Sequence, residues 1–244
     1  MKYIFLVFAL SVFLPMIFRL IRFSLNPTKR ATPVIEYAEK KGYRLVNPSA
    51  TQIPGSSLME MLKNPAFNLR NLTDASSDLA DIDGLERASG GRLAFTANLR
   101  SKEATIFNCS TTGSINAGSR LIPYKVAKIR AAGLPRFSLG KNSIVHTVQD
   151  VVDKMVGQPQ LTIAVDPRLN PDFSAHYWIR ASDAAAIFAF LSPEKMRFIQ
   201  TANLPGTLAT NSNYLVYFEL GTLGTEPDFD SFIATVEKLI AGVL

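Results

Sequence analysis

The chain has 244 residues, 47% hydrophobic and 19% charged, which is enough apolar material for a core and excludes wholesale disorder. One cysteine, Cys109, excludes an intramolecular disulfide, and with only His146 and His176 beside it the chain is too poor in ligands for a Cys/His zinc cage. The net charge of +6 is concentrated in residues 1–44, which hold eight Lys/Arg and two Glu, while residues 45–244 hold 18 of each sign. The neutral remainder carries no recognition helix or RNP-type run, so nucleic acid is not an expected partner.

Residues Tyr3 to Phe18, YIFLVFALSVFLPMIF, carry no charge. Sixteen helical residues span about 24 Å, short of a hydrocarbon core of about 30 Å. Arg19 and Arg22 can snorkel, which adds Leu20, Ile21 and Phe23 to the apolar stretch. A cleavable signal would need small residues at two set positions beyond this run, and they are missing. The segment therefore reads as an uncleaved anchor over residues 1–25. Arg19, Arg22, Lys29 and Arg30 outnumber Lys2 on the opposite flank, so the positive-inside rule places the N-terminus outside and the following domain in the cytoplasm.

Behind the anchor, Thr32-Pro33 looks like an N-cap with proline at N1, opening a helix that Gly42 stops. Residues 26–46 are expected to be a juxtamembrane helix and linker, and residues 47–244 a soluble domain. Tyr43 to Val46 has strand chemistry, Ser56 or Ser57 can cap a short helix through Leu62, and residues 64–91 read as loop-rich with a helical turn or two near Leu79 to Ala88. Leu93, Phe95, Ala97 and Leu99 alternate with more polar neighbours. With the connection Arg100-Ser-Lys-Glu103, residues 92–110 form an expected hairpin. Extended segments follow at Leu121 to Ile129 and Pro135 to Leu139, and a helical spacing covers Val145 to Met155. Alternation marks strands at Leu161 to Val165, at Phe173 to Ile179 and at Tyr214 to Leu220. Ser182-Asp183 and Ser192-Pro193-Glu194 start two short helices. Phe229, Phe232, Ile233, Val236, Ile240 and Val243 form the apolar stripe of a C-terminal amphipathic helix. Strands grouped in hairpins, without regular alternation with helices, predict an α+β fold with a mostly antiparallel sheet.

Chemical signals are sparse. A Cys109–histidine pair can be drawn, but no glycine-framed elbow surrounds the thiol, and an inert buried cysteine is the simpler reading. His146 and Asp150 stand at i, i+4 and suit either a base with its orienting carboxylate or an ordinary surface pair. No phosphate loop, dinucleotide fingerprint or zinc-protease helix occurs, so no cofactor or metal is expected. Residues 120–141 hold Arg120, Lys125, Lys128, Arg130, Arg136 and Lys141 without an acid. Arg120, Lys125, Lys128 and Arg130 are candidates for an anionic partner, against the plainer reading of a solvated strand edge protected by charge. In a strand, Lys128 and Arg130 share a face with Tyr124 and Val126, and Lys125 points the other way.

The order of features resembles a family of uncharacterised bacterial single-pass membrane proteins. The pieces that carry the likeness are VIEYAEKKGYRL at 34–45, LPRFSLGK at 134–141, FSAHYWIRASDAAAIFAFLSPEKMRFIQ at 173–200 and NYLVYFEL at 213–220. The chain departs from many members in having Gly140-Lys141 where they carry Pro-Glu. The resemblance implies a bacterial inner-membrane location and assigns no catalytic residue. Together these readings predict a non-enzymatic binding or scaffolding module, held to membrane lipid by its N-terminal helix and facing an unknown protein partner. The alternatives are a membrane-bound hydrolase using Cys109 or a histidine, and a module facing the periplasm.

Overall fold

The structure is a computed structural model that describes residues 27–46, 75–80, 82, 85, 88–89, 91, 93–115, 118–142, 161–162, 170, 172–211 and 213–244. The anchor at 1–25, the helix capped by Ser56 or Ser57, the helix at 145–155 and strand residues 163–165 lie outside them. Among the described residues, no helix is long and apolar enough to cross a membrane.

The chain runs α1 (Pro27–Lys41), β1 (Arg44–Leu45), β2 (Ala94–Leu99), β3 (Lys102–Ile115), β4 (Gly118–Arg130), β5 (Phe137–Lys141), β6 (Leu161–Thr162), α2 (Phe173–His176), β7 (Tyr177–Ala181), α3 (Ala184–Phe190), α4 (Pro193–Ala202), β8 (Thr207–Asn211), β9 (Tyr214–Leu220) and α5 (Glu226–Val243). Among the described residues, nine strands join one sheet in the order β1-β2-β3-β4-β9-β8-β5-β7-β6, and each of these pairings is antiparallel. The α+β class with an antiparallel sheet and a C-terminal helix is thus as the sequence predicts. β2, β3 and β4 form a meander. The last hairpin, β8–β9, then inserts between β4 and β5, so the middle of the sheet is completed by the end of the chain.

One face of the sheet carries Phe95, Ala97, Leu99, Ile106, Ile129, Leu215 and Tyr217 beneath α1, α4 and α5. The stripe of α5 is buried as its spacing predicts, with Leu239 added. The opposite face, with Phe107, Cys109, Val126, Val216 and Phe218, packs on Leu79, Ile82 and Leu85. In that covering segment Leu79, Ile82, Leu85 and Ala88 each donate a backbone N–H to the carbonyl three residues earlier. A period of three, instead of the 3.6 of the expected helical turns, brings Leu79, Ile82 and Leu85 to the sheet in succession.

Several local expectations are corrected. α1 begins at Pro27, not behind a Thr32 cap, and Pro33 lies inside it. Pro27 takes the helix start, where a missing N–H costs nothing, and Pro33 leaves the Lys29 carbonyl without its partner four residues on. The helix does stop at Gly42, whose φ of +68° suits glycine. The β2–β3 connection is two residues, not four, because Leu99 pairs with Lys102. Arg100 and Ser101 both have positive φ, 47° and 66°, as a tight hairpin turn requires. Phe173 to His176 is a helical turn instead of a strand. The turn sets Phe173 against Tyr177, with ring centroids 4.9 Å apart, a contact that i, i+4 spacing allows only in a helix. Asp183 and Ser192 cap α3 and α4 as their sequence signals indicate.

Candidate functional site

The basic run at 120–141 contains the sequence's main candidates, and the sheet distributes them. β4 is an interior strand between β3 and β9, not the charge-protected edge of the plainer reading. Lys125 meets Glu219 of β9 at 2.9 Å, with side chains 20% and 12% exposed. Lys128 points to the other face, where its ammonium sits 2.8 Å from Asp78 and 4.9 Å from the Tyr214 ring centroid. Each lysine thus neutralises a carboxylate of the same chain. Arg130, on the face of Lys128, is exposed at the end of β4. Arg120 stands opposite Gly113, and its side chain lies outside the described residues. Lys141 is bound to Asn203 through the side-chain oxygen at 2.6 Å and the carbonyl at 3.2 Å. Of the topology residues, Lys29 and Arg30 fall in the first turn of α1 and Arg19 and Arg22 lie outside the described residues.

Cys109 is buried on β3, in the layer under Leu79 and Leu85. His176 is exposed in α2, with Nδ1 2.9 Å from the Asp172 carbonyl oxygen. β3 and β7 are five strand spacings apart, about 24 Å along the sheet. The structure therefore does not bring Cys109 and His176 together, and His146 and Asp150 lie outside the described residues. No three His, Cys, Asp or Glu side chains gather to hold a metal ion among the described residues.

Two polar assemblies were not evident from the sequence. In the first, Asn108, Lys125 and Glu219 lie in register across β3, β4 and β9. The Tyr217 hydroxyl donates to Glu219 at 2.5 Å. Burial first, and this bond second, raise the tyrosine pKa far above its usual range. Asn108 clasps Leu223, donating to its carbonyl at 3.1 Å and accepting from its N–H at 2.8 Å. The row fixes the connection from β9 to α5. Glu219 has one oxygen on Tyr217 and the other on Lys125, so it acts as a bridge.

The second assembly joins α1 to α5. Val34, Ile35, Tyr37 and Ala38 are buried, and the Tyr37 ring stacks on Phe229 at 4.4 Å. Its hydroxyl donates to Asp230 at 2.7 Å. Lys41 reaches Asp230 at 3.1 Å, and Lys40 reaches Glu226 at 2.6 Å. Lys40 and Lys41 lie in the last turn of α1 and Glu226 in the first turn of α5, so these three charges also complement their own helix dipoles. The Tyr37 hydrogen bond, followed by that from Lys41, holds the Asp230 carboxyl below its usual pKa. In the sequence, α1 reads as a spacer because its contacts lie almost two hundred positions away. Set against models of protein families, curated protein sequences and solved structures, the chain matches none.

Proposed function

We propose that the protein is a single-pass membrane module whose α+β domain is fixed to its own tether and presents a binding surface, with no chemistry of its own, at the cytoplasmic side of a bacterial inner membrane. The observation that carries this reading is the docking of α1. A flexible linker would let the domain roam, whereas α1 begins shortly after the apolar run, carries Lys29 and Arg30 of its basic flank, and enters the core through Val34, Ile35, Tyr37 and Ala38. Helix and domain then move as one body, which suits positioning a partner at a fixed height above the lipid. The separation of Cys109 from His176 and the internal pairing of Lys125 and Lys128 favour a scaffold over a hydrolase.

Alkaline carbonate extraction of native membranes, combined with compartment-specific reporters fused at the C-terminus, tests the reading. Retention in the pellet with a cytoplasm-active reporter is expected. Release into the wash, or a signal only from a periplasm-active reporter, overturns it. Changing Arg19, Arg22, Lys29 and Arg30 together to Gln should mix or invert the orientation.

A further inference from the structure

Among the described residues, two of the three large hydrophobic side chains left exposed stand near one end of the sheet, Leu121 of β4 at 65% and Leu220 of β9 at 69%. β4 pairs Ala127 with Tyr217 and Tyr124 with Leu220. Strand alternation therefore turns Leu121 and the exposed Pro123 toward the face of α1, α4 and α5, and Leu220 with the half-buried Ile122 toward the opposite face. A protein groove covers one face of a strand. Apolar side chains on both faces are covered together by a medium that surrounds the strand ends, and lipid is such a medium.

The helix that leads out of the domain starts at this same end. Tyr37 and Tyr43 both lie against the Phe95 ring, at 5.9 and 5.3 Å between centroids, and the Tyr43 N–H returns to the Ala38 carbonyl at 2.8 Å, so the chain reverses at Gly42. α1 is therefore antiparallel to β1. Because β1 pairs Arg44 with Thr96 and Leu45 with Phe95, it runs toward the Ala94 end of β2, the end at which Leu121 and Leu220 lie. Phe95, Ile106, Ala127 and Tyr217 form one row across the sheet. From that row Leu220 is three residues away, about 10 Å, and Leu121 six residues, about 20 Å. Pro27 is ten helical residues from Tyr37, about 15 Å in the same direction, which sets the start of α1 at the level of the two leucines. Only Ser24, Leu25 and Asn26 separate it from Phe23, the last apolar residue of the anchor. We propose that Leu121 and Leu220, with Pro123 and Ile122, form a wedge seated in membrane lipid at the boundary of head groups and acyl chains, a second hold beside the N-terminal helix that keeps the sheet upright on the bilayer. This rests on the membrane reading and adds to it the part of the domain that meets the lipid.

The test uses the full chain in nanodiscs of phosphatidylethanolamine and phosphatidylglycerol, with nitroxides on a fraction of the acyl chains. A cysteine at Leu121, at Leu220, or at Ser101 on the opposite end of the sheet carries a polarity-sensitive fluorophore, and the parent chain, whose Cys109 is buried, reports the background. Leu121→Cys and Leu220→Cys should give blue-shifted emission that the nitroxides quench, and Ser101→Cys neither. Adding Leu220→Asp to the first, or Leu121→Asp to the second, should reduce the quenching. Unfolding in detergent should stay as in the parent, because both leucines are exposed in the folded domain, so a lost signal is not a lost fold. Labels at 121 and 220 as wet as the label at 101 overturn the wedge, as does quenching indifferent to the added aspartates. Blue-shifted emission that lipid nitroxides do not quench places another protein over the leucines and also overturns it. Retention of the same chains after carbonate extraction shows that only the wedge has failed, whereas their release overturns both readings.

Discussion

Replacing Tyr37 by alanine tests whether α1 belongs to the domain. The ring is 4% exposed and meets Phe229 at 4.4 Å, Phe95 at 5.9 Å and Tyr43 at 6.2 Å, so its removal empties the joint between α1, the sheet and α5. Truncating a buried aromatic side chain to alanine costs about 3–5 kcal/mol. For a domain of this size that corresponds to a fall in melting temperature of roughly 6–20 °C. Tyr37→Phe keeps the rings and removes only the hydroxyl bond to Asp230, so its loss should be a small fraction of this. Thermal unfolding of the detergent-solubilised chain measures both, and hydrogen exchange along α1 locates the effect. Equal losses for the two variants, or an alanine variant within about 1 kcal/mol of the parent, would show that α1 is a tether lying against the domain and not part of its core.

Acidification should weaken the same joint. The Asp230 pKa is depressed in the folded state, so its contribution is present above the unfolded carboxylate value and is lost as pH falls through the folded one. Unfolding followed from pH 6 to 2 should show this dependence, and Tyr37→Phe should flatten it. Glu219→Ala leaves Lys125 and the fully buried Tyr217 hydroxyl without their shared partner, a loss of about 3 kcal/mol by denaturant titration. Changing Arg100-Ser101 to Asn-Gly suits the two positive φ angles and should stabilise the domain by about 1–2 kcal/mol, so a lower denaturation midpoint counts against the turn assignment. A Cβ on Gly140 would sit 2.7 Å from the Trp178 indole. Gly140→Ala should cost about 1–3 kcal/mol and shift the emission of the chain's one tryptophan.

Elements with a strong local signature were legible in the letters. The caps at Asp183 and Ser192, the glycine stop at Gly42, the alternation in β2 and β9 and the stripe of α5 depend on the backbone and a few neighbours, and there the structure agrees. The short turn at Arg100-Ser101 was hidden because neither residue announces a positive φ. The turn at Phe173 was hidden because Phe173, Ala175, Tyr177 and Ile179 alternate as a strand does, and only from Tyr177 on is the backbone extended. The division of Lys125 and Lys128 between two faces followed from strand parity, but their partners did not, since Asp78 and Glu219 are 50 and 94 positions away.

Composition and local pattern by themselves determined that this chain builds an α+β domain with a C-terminal helix, behind an apolar, positively flanked start. Tertiary structure decided that β8–β9 enters between β4 and β5, that Ala75, Leu79, Ile82 and Leu85 close the second face and that α1 is joined to α5. The reason is physical. Periodicity says which face of an element must leave water, and only the assembled sheet says which distant element covers it.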